Sequence, residues 1–452
     1  MKKIRIGSGA GYAGDRIEPA VELMEKGNLD YIIFECLAER TVAIGQQDKE
    51  KDPSKGYNQL LDYRMEKILP LMAKNKVKVI TNMGAANPVS AAERTCEIAR
   101  KLGVSGLKIA CVTGDDITDE LDKYENEKVL EDGTLLKEKK DVLISANVYM
   151  GAEGITKALE EGANLVITGR VSDPALTIGP LVHEFGWNIT DNPDQMGQAV
   201  LAGHLLECGG QGAGGNYMYD WRNVPRMDEL GFPIAELTDD TFEITKAPDC
   251  GGIICEQSCK EQFLYEVHDP ANYLTPDVNV DISHATITQV GDNRVRIGGV
   301  KGKPRPDTLK LCVGYHKGWK TVSMLSFAWP DAYEKAQYCA EVIMKKMQRR
   351  GMKADDIHIS YIGLNSLHLG VADMSEEALK NLNECVLRIA VFSEDKSECA
   401  KIIPEISPLQ LNGPPGASFF GGRARVQEVM ALWPTTVPRD AVQVESHILE
   451  VK

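Results

Sequence analysis

Residues 165–174, LVITGRVSDP, join a strand-like run to a polar cluster, and this pattern recurs along the first 180 residues. A short run rich in Val and Ile is typical of a buried β-strand, and Gly, Asn, Asp or Arg after it is typical of a loop. The other runs are IRIG before SGAGYAGDR, YIIF before ECLAERT, VKVI before TNMGAANP, LKIACV before TGDD, and VLIS before ANVYMG. Because the carboxyl ends of parallel strands share one sheet edge, where ligands bind, we expect these clusters to form one site.

Segments with helical periodicity separate these runs, at about residues 16–26, 62–75, 90–102 and 154–161. Strands that alternate with helices predict βαβ units and a mainly parallel sheet. The fold class expected for residues 1–225 is therefore α/β, with a Rossmann-like sheet that carries helices on both faces.

The pattern changes after about residue 225. Runs such as ATITQV and RVRIGGV alternate apolar and polar residues, which is typical of antiparallel strands, and a strongly helical segment follows at about residues 332–350. We expect residues 226–452 to form a second, α+β domain that closes an interdomain cleft.

The composition restricts the possible partners and compartment. The 452 residues carry a net charge of −15, which argues against nonspecific binding to nucleic acid or to an anionic membrane. The first residues, MKKIRIGSGAG, lack the apolar stretch of a secretory signal, and no run of about 18 apolar residues could span a bilayer. We therefore expect a cytoplasmic protein whose 11 cysteines stay reduced.

The first polar cluster contains a G-x-G-x-x-G pattern. Gly9, Gly11 and Gly14 follow a strand and precede a helix, and Glu35 lies about 20 residues later at the end of the next strand. This arrangement resembles a dinucleotide fingerprint, in which glycines admit a pyrophosphate and the acid binds a ribose hydroxyl. The alternative is a glycine turn that lets the strand and helix pack, without any ligand.

Polar groups after the second and third strands suggest acid–base chemistry. Glu35 could transfer a proton, while the amides of Asn82 and Asn87 could donate to an oxyanion or enolate oxygen. The alternative is ordinary turn chemistry, because Asn caps helices and Asn87 precedes a proline.

Arg170 and Asp173 follow the last strand of the series. A guanidinium at this edge could hold a carboxylate or phosphate through two hydrogen bonds. Alternatively, Arg170 and Asp173 form an internal ion pair that fixes the loop.

The segment GHLLECGGQGAGGN is the most catalytic-looking part of the chain. His204, Glu207 and Cys208 are spaced i, i+3 and i+4, so that their side chains share a helix face. The pair His204 and Glu207 is a plausible general base, and the set of three could instead ligate a metal. The other alternative is a buried, mutually satisfied pair with a buried cysteine. Gly210 and Gln211 open the following loop, whose backbone amides could stabilise an anion.

Arg423 lies in a second glycine-rich segment, NGPPGASFFGGRARVQEV. Such a basic loop could bind an anionic substrate from the far side of a cleft. A surface salt bridge is the alternative.

Taken together, these motifs resemble the acyclic terpene utilisation family, AtuA. The stretches that carry the resemblance are GSGAGYAGDR, TNMGAANP, ITGRVSDPAL, HLLECGGQGAGGN and YEVHDPANYLTPDV. The resemblance implies a bacterial catabolic protein, encoded among genes for the breakdown of acyl-CoA or organic acids. Some members carry a small C-terminal domain of ferredoxin-like fold. This chain is expected to lack it, so that a separate small subunit could supply that module.

The hypothesis that we favour is a lyase of the hydratase or dehydratase type that acts on a small carboxylic acid or its acyl-CoA thioester. His204 with Glu207 would move the proton, Asn82 and the glycine-loop amides would stabilise an enolate-like oxygen, and Arg170 and Arg423 would hold the negative charge. This chemistry requires no redox cofactor. The alternatives are an NAD(P)-dependent oxidoreductase and a noncatalytic subunit of a heteromeric complex. A homo-oligomer is expected.

Overall fold

The computed structural model describes residues 2–239, 241–368 and 370–452, which form two compact units. Unit 1 extends to Gly314 and resumes over Leu432–Lys452, whereas unit 2 comprises Tyr315–Ala431. This division differs from the predicted boundary at residue 225. The physical reason is that antiparallel strands after residue 225 hydrogen-bond to the sheet of unit 1 and extend it.

Six strands form where the strand-like runs were predicted. They are β1 (Ile4–Ala10), β2 (Tyr31–Phe34), β3 (Lys78–Thr81), β4 (Lys108–Thr113), β5 (Leu143–Val148) and β6 (Leu165–Thr168). Five of them are adjacent and parallel in the order β1-β2-β3-β6-β4, which differs from the 3-2-1-4 order of the Rossmann fold. Every residue of β2 and β6 is buried, as expected for strands covered on both faces. The α/β class is confirmed.

Helices cover both faces of this sheet. In unit 1 they are α1 (Glu18–Lys26), α2 (Glu39–Lys51), α3 (Leu61–Asn75), α4 (Pro88–Lys101), α5 (Glu153–Glu160), α6 (Ala175–Phe185), α7 (Pro193–Glu207) and α8 (Glu256–Leu264). One hydrophobic core contains apolar residues of α1, α3 and α4, and a second contains those of α5, α6 and α7.

Antiparallel strands extend the sheet of unit 1 to ten strands, in the order β11-β12-β8-β7-β1-β2-β3-β6-β4-β19. The strands that follow α7 are β7 (Pro233–Leu237), β8 (Phe242–Lys246), β9 (Tyr273–Leu274), β10 (Asn279–Asp281), β11 (Thr286–Gly291), β12 (Arg294–Gly298), β13 (Lys301–Lys303) and β14 (Thr308–Ala328). The strands β9, β10 and β13 form a separate small sheet. The predicted strand β5 is present but pairs with β14, so it does not join the parallel sheet.

Unit 2 has an antiparallel sheet with helices, in agreement with the α+β character predicted for the second half. Its helices are α9 (Ala332–Arg349), α10 (Glu376–Lys380), α11 (Lys396–Ala400), α12 (Ile403–Ile406) and α13 (Leu409–Asn412). The strands after β14 are β15 (Asp356–Ile362), β16 (Glu384–Ser393), β17 (Ser418–Phe419), β18 (Val426–Pro438) and, back in unit 1, β19 (Glu445–Glu450).

Among the described residues, no helix combines the length and the apolar character needed to cross a bilayer.

The loop after β1 packs against the loop that follows α7. A Cβ atom at Gly11 would lie 2.3 Å from the backbone carbon of Cys208, and one at Gly9 would lie 2.7 Å from the ring of Phe34. At Gly14 the nearest neighbour is the ring of Tyr12, at 3.1 Å. Close packing therefore explains the glycine at two of the three positions of the predicted dinucleotide fingerprint.

The amide of Gly11 is also occupied. It donates to the carboxylate of Asp15 at 2.8 Å, and that carboxylate accepts a second hydrogen bond from the amide of Arg16. A carboxylate already fills the place that a phosphate would take in a nucleotide-binding loop, so the contacts favour the packing interpretation.

We predict that Gly11→Ala lowers the free energy of unfolding by about 2 kcal/mol, because its methyl group must displace backbone atoms. The matched variant Gly14→Ala should change stability by less than about 0.5 kcal/mol, since Gly14 is exposed and the atoms nearest to its new Cβ belong to the exposed ring of Tyr12. Urea denaturation of both variants measures the difference. Equal effects of the two substitutions would contradict the packing explanation.

Candidate functional site

Glu35 lies directly after β2, at the carboxyl edge of the parallel strands, and is only 9% exposed. Its Oε1 accepts a hydrogen bond from the amide of Leu37 at 2.8 Å and one from the Asn82 side chain at 3.1 Å. Asn82 follows β3, and its own carbonyl oxygen accepts from the amide of Cys36 at 2.7 Å. Both hydrogen bonds to Glu35 reach Oε1, so Oε2 is the oxygen left for another partner.

The environment of Glu35 favours the neutral acid. Burial raises the pKa of Glu35 to about 8, and the negative charge of Asp173 contributes to the rise. The positive charge of Arg170 and the two hydrogen bonds oppose it without cancelling it. Glu35 is therefore protonated near neutral pH and poised to transfer a proton.

Arg170, two residues beyond β6, is 1% exposed and connects several loops. Its guanidinium donates to the carboxylate of Asp173 and to the carbonyl of Leu37, while its backbone amide donates to Asp115 at 2.9 Å. The ring of Tyr149 stacks on it, with 4.1 Å between the guanidinium carbon and the ring centroid. Burial opposes the charged form, but the neighbouring carboxylates outweigh burial and raise the pKa of Arg170.

These contacts favour the internal ion pair over a substrate clamp. The charge of Arg170 is already used by Asp173, whose own side chain is 35% exposed. Arg170 therefore holds Asp173 in place, and Asp173 is the member of the pair that a ligand can reach.

A second hydrogen-bonded group extends the same edge. The hydroxyl of Tyr149 donates to Glu39, and Lys310 donates to the same carboxylate oxygen at 2.9 Å. Burial would raise the pKa of Glu39, but these two hydrogen bonds and the charge of Lys310 lower it to about 2. Glu39 is thus a permanent carboxylate, in contrast to Glu35.

His204 and Glu207, at the end of α7, form a buried pair, which was the alternative to a general base. Nδ1 of His204 lies 3.0 Å from Oε1 of Glu207, and Nε2 donates to the backbone carbonyl of Gln262 at 2.9 Å. The hydroxyl of Tyr273 lies 3.4 Å from the same Nδ1. Both ring nitrogens are engaged within the fold, and His204 is only 2% exposed. Direct contact of His204 with a substrate is therefore not supported.

The pair is nevertheless electrostatically linked to Asp173. Burial raises the pKa of Glu207, and the charge of Asp173 adds to the rise. Burial lowers the pKa of His204, but the carboxylate of Glu207 outweighs this and raises it. Because Asp173 also raises the pKa of Glu35, its charge couples the residues of α7 to those at the strand ends.

Cys208 is not poised as a nucleophile. Burial raises the pKa of its thiol to about 12, and the charge of Glu207 adds to the effect. A thiol with such a high pKa holds almost no thiolate near neutral pH.

Three other predicted residues are engaged in the local structure. Asn87 caps α4: its side chain accepts from the amide of Ser90 and donates to the carbonyls of Pro53 and Lys55. Gln211 donates to the side chain of Gln262 at 2.8 Å. A Cβ atom at Gly210 would lie 2.9 Å from the side chain of Leu230. The contacts of Asn87 support the turn-chemistry alternative.

Arg423 belongs to unit 2, where it is exposed in the segment between β17 and β18. Its predicted role in holding a substrate remains a prediction.

A cavity of about 420 Å³ opens beside the segment that directly follows Glu35. Most of its lining is apolar, and it comes from the loops after β1, β2 and β3, from α2 and from the segment before α3. The lining residues are Ala13, Gly14, Cys36, Leu37, Thr41, Ile44, Gly45, Asp48, Tyr57, Asn58, Gln59, Leu60 and Ala85. Cys36 and Leu37 directly follow Glu35, so this cavity is the natural place for a ligand that reaches the carboxyl.

No group of three or more His, Cys, Asp or Glu side chains suited to a metal ion occurs among residues 2–239, 241–368 and 370–452. In particular, His204, Glu207 and Cys208 do not form such a group with one another.

Several residues at the site were not singled out from the sequence. Tyr149 and Lys310 build the group around Glu39, while Gln262 and Tyr273 contact His204. Tyr149 follows β5, and this strand-end position was a usable signal. Lys310, Gln262 and Tyr273 are distant in sequence from their partners, and only the fold brings them together.

The comparisons with known proteins give one match. A family model described as "Acyclic terpene utilisation family protein AtuA" matches residues 4–448 of the chain. No curated protein and no solved structure matches it significantly. The description indicates a role in acyclic terpene utilisation and is consistent with a catabolic enzyme. Because the match covers nearly the whole length, the chain belongs to the acyclic terpene utilisation family AtuA.

Proposed function

We propose that this protein is a catabolic lyase, of the hydratase or dehydratase type, that acts on a carboxylic acid or its acyl-CoA thioester. The observation that carries the proposal is the carboxyl of Glu35. It is nearly buried, has a pKa of about 8, and lies beside a cavity of about 420 Å³. A carboxyl that keeps its proton near neutral pH is suited to act as a general acid.

The reaction requires one acid and one base. In the dehydration direction, the carboxylate of Asp173 takes the proton from the carbon next to the carbonyl. Glu35 gives its proton to the departing hydroxyl, which leaves as water, and the electrons of the broken C–H bond form the double bond. Hydration is the reverse of these steps.

Other residues of the site act by positioning these two. Asn82 and the amide of Leu37 fix Oε1 of Glu35, so that Oε2 faces the substrate. Arg170 fixes Asp173, and its positive charge and hydrogen bond oppose the rise that burial causes in the pKa of Asp173. His204 and Glu207 take a role different from that expected from the sequence: as a buried pair, they influence the site through the charge of Asp173.

The substrate class agrees with the lining of the cavity. Side chains such as Leu37, Ile44 and Leu60 offer apolar surface, which suits the hydrocarbon part of a branched or terpenoid acid. The family description names acyclic terpenes, whose carbon skeletons are apolar and branched.

We predict that Glu35→Gln lowers the turnover number by about 10²-fold or more, because the amide cannot supply a proton. The isosteric side chain can still accept from Leu37 and Asn82, so the fold should be kept. The assay follows the absorbance of the unsaturated product from a panel of 3-hydroxy acids and their CoA thioesters. The exposed variant Glu50→Gln serves as control. Full activity of Glu35→Gln on a substrate that the wild type converts would contradict the proposal.

The raised pKa of Glu35 also predicts a dependence of stability on pH. In the unfolded chain this carboxyl ionises near pH 4.5, but in the folded protein it stays protonated up to about pH 8. The folded state therefore binds more protons between these values, and stability falls as the pH rises through this window. Glu35→Gln removes this contribution, so its unfolding free energy should fall less between pH 5 and pH 8. Urea denaturation of the wild type and of Glu35→Gln at both pH values measures the difference. An equal change in unfolding free energy for the two proteins would contradict the raised pKa.

A further inference from the structure

Arg64, in the first turn of α3, is completely buried. One terminal nitrogen of its guanidinium lies 2.9 Å from the sulfur of Cys36 and 3.7 Å from that of Met83. The other terminal nitrogen donates to the backbone carbonyl of Asp15 at 2.8 Å, while Nε has no hydrogen-bond partner among the residues that the structure describes. A buried cation is thus held by two weak sulfur acceptors and one carbonyl.

No carboxylate within the described ranges forms an ion pair with Arg64. The side chain of Asp15 is used by the amides of Gly11 and Arg16. Burial raises the pKa of Cys36 far above its ordinary value, so its thiol is neutral and cannot balance the charge. Arg170, by comparison, is equally buried but has Asp173. A buried charge without a counter-ion is costly, so the guanidinium of Arg64 would be stabilised by a nearby anion.

The cavity beside Glu35 is lined by segments that contact Arg64, although Arg64 itself is not a lining residue. Its lining includes Gly14, next to Asp15, as well as Cys36 itself and Ala85, two residues after Met83. It also includes Leu60, whose carbonyl accepts from the backbone amide of Arg64 at 2.9 Å. Every contact of the guanidinium therefore belongs to a segment that forms the cavity wall. Arg64 lies directly behind this wall.

We infer that the cavity is a binding site for a small carboxylate with an apolar body, and that Arg64 is the buried cation that attracts its carboxylate. The ligand enters between α2 and the segment before α3, its hydrocarbon part packs on Ile44 and Leu60, and its carboxylate lies at the wall formed by Cys36. The identification of this ligand as the substrate rests on the proposed function. The binding of a carboxylate in the cavity is independent of it.

Asp48 is the carboxylate that also lines the cavity, on α2. Thr41, Ile44 and Asp48 follow one another at helical spacing and so line the same side. Asp48 repels an anion near it, so the ligand carboxylate must lie toward Arg64 and away from α2. Removal of the charge of Asp48 therefore tests this orientation of the ligand.

The first experiment measures binding of octanoate, octanamide and 1-octanol to the full wild-type chain by isothermal titration calorimetry, below the micelle concentration of octanoate. Attraction between the ligand carboxylate and the buried guanidinium predicts at least about tenfold tighter binding of octanoate than of the two neutral probes. Equal affinity for the three probes, or no binding of octanoate, would overturn the inference.

Two variants locate the charge that is responsible. Arg64→Met should abolish the preference for octanoate and stabilise the unliganded protein, because it removes an unpaired buried charge. Arg100→Met, on the exposed face of α4, is the matched control and should keep the preference. Asp48→Asn should tighten octanoate binding by a few-fold and leave 1-octanol unchanged. If Arg64→Met does not fold, two other results test the inference. They are the preference of the wild type for octanoate over the neutral probes and the effect of Asp48→Asn on octanoate binding. A wild-type preference that persists in Arg64→Met would overturn the role of Arg64.

The variant Glu35→Gln separates this inference from the proposed function. It should bind octanoate as the wild type does, while its turnover is lost. Octanoate binding together with full activity of Glu35→Gln would overturn the lyase proposal alone. Lost activity without any octanoate binding would overturn the carboxylate site alone.

Discussion

The ion pair between Arg170 and Asp173 is the interaction on which the carboxyl edge of the sheet depends. The guanidinium joins its own loop after β6 to the carbonyl of Leu37 after β2, and the backbone of the same residue is held by Asp115 after β4. Three strand ends are therefore fixed by one side chain and its backbone. Since a buried guanidinium must keep its partners, the loops cannot rearrange independently. The charges of Asp173 and Arg170, which this ion pair holds in position, in turn influence the pKa of Glu35.

The two fully buried arginines, Arg170 and Arg64, differ in whether a carboxylate balances their charge. Arg170 is balanced within the chain, and it serves the site by placing Asp173. Arg64 is held only by neutral acceptors, and it lies where four segments of the cavity wall meet. One charge organises the protein, and the other is the cation that we propose attracts a ligand. In that proposal, an anion can bind without disturbing the ion pair of Arg170 and Asp173.

Strand periodicity and strand-end chemistry predicted a large part of this structure. The runs of β1 to β6 are visible because strands covered on both faces must be apolar throughout, and Glu35, Asn82 and Arg170 follow from their positions after such runs. The partner of β5 could not be predicted, since β14 is distant in sequence. The environment of His204 also depends on Gln262 and Tyr273, whose proximity is tertiary. Arg64 gave no signal because it lies inside a helix, where an arginine is usually a surface residue.

The pairing of β19 with β4 has a consequence for how the chain folds. Lys108 is aligned with Glu450, while the whole of unit 2 lies between these two strands in the chain. During synthesis, the edge of β4 therefore stays open until almost all other residues have been translated. Non-local pairing of this kind raises the contact order and slows folding, and an open strand edge favours association with other chains. A chaperone would therefore benefit this protein most while unit 1 has been synthesised and β19 has not.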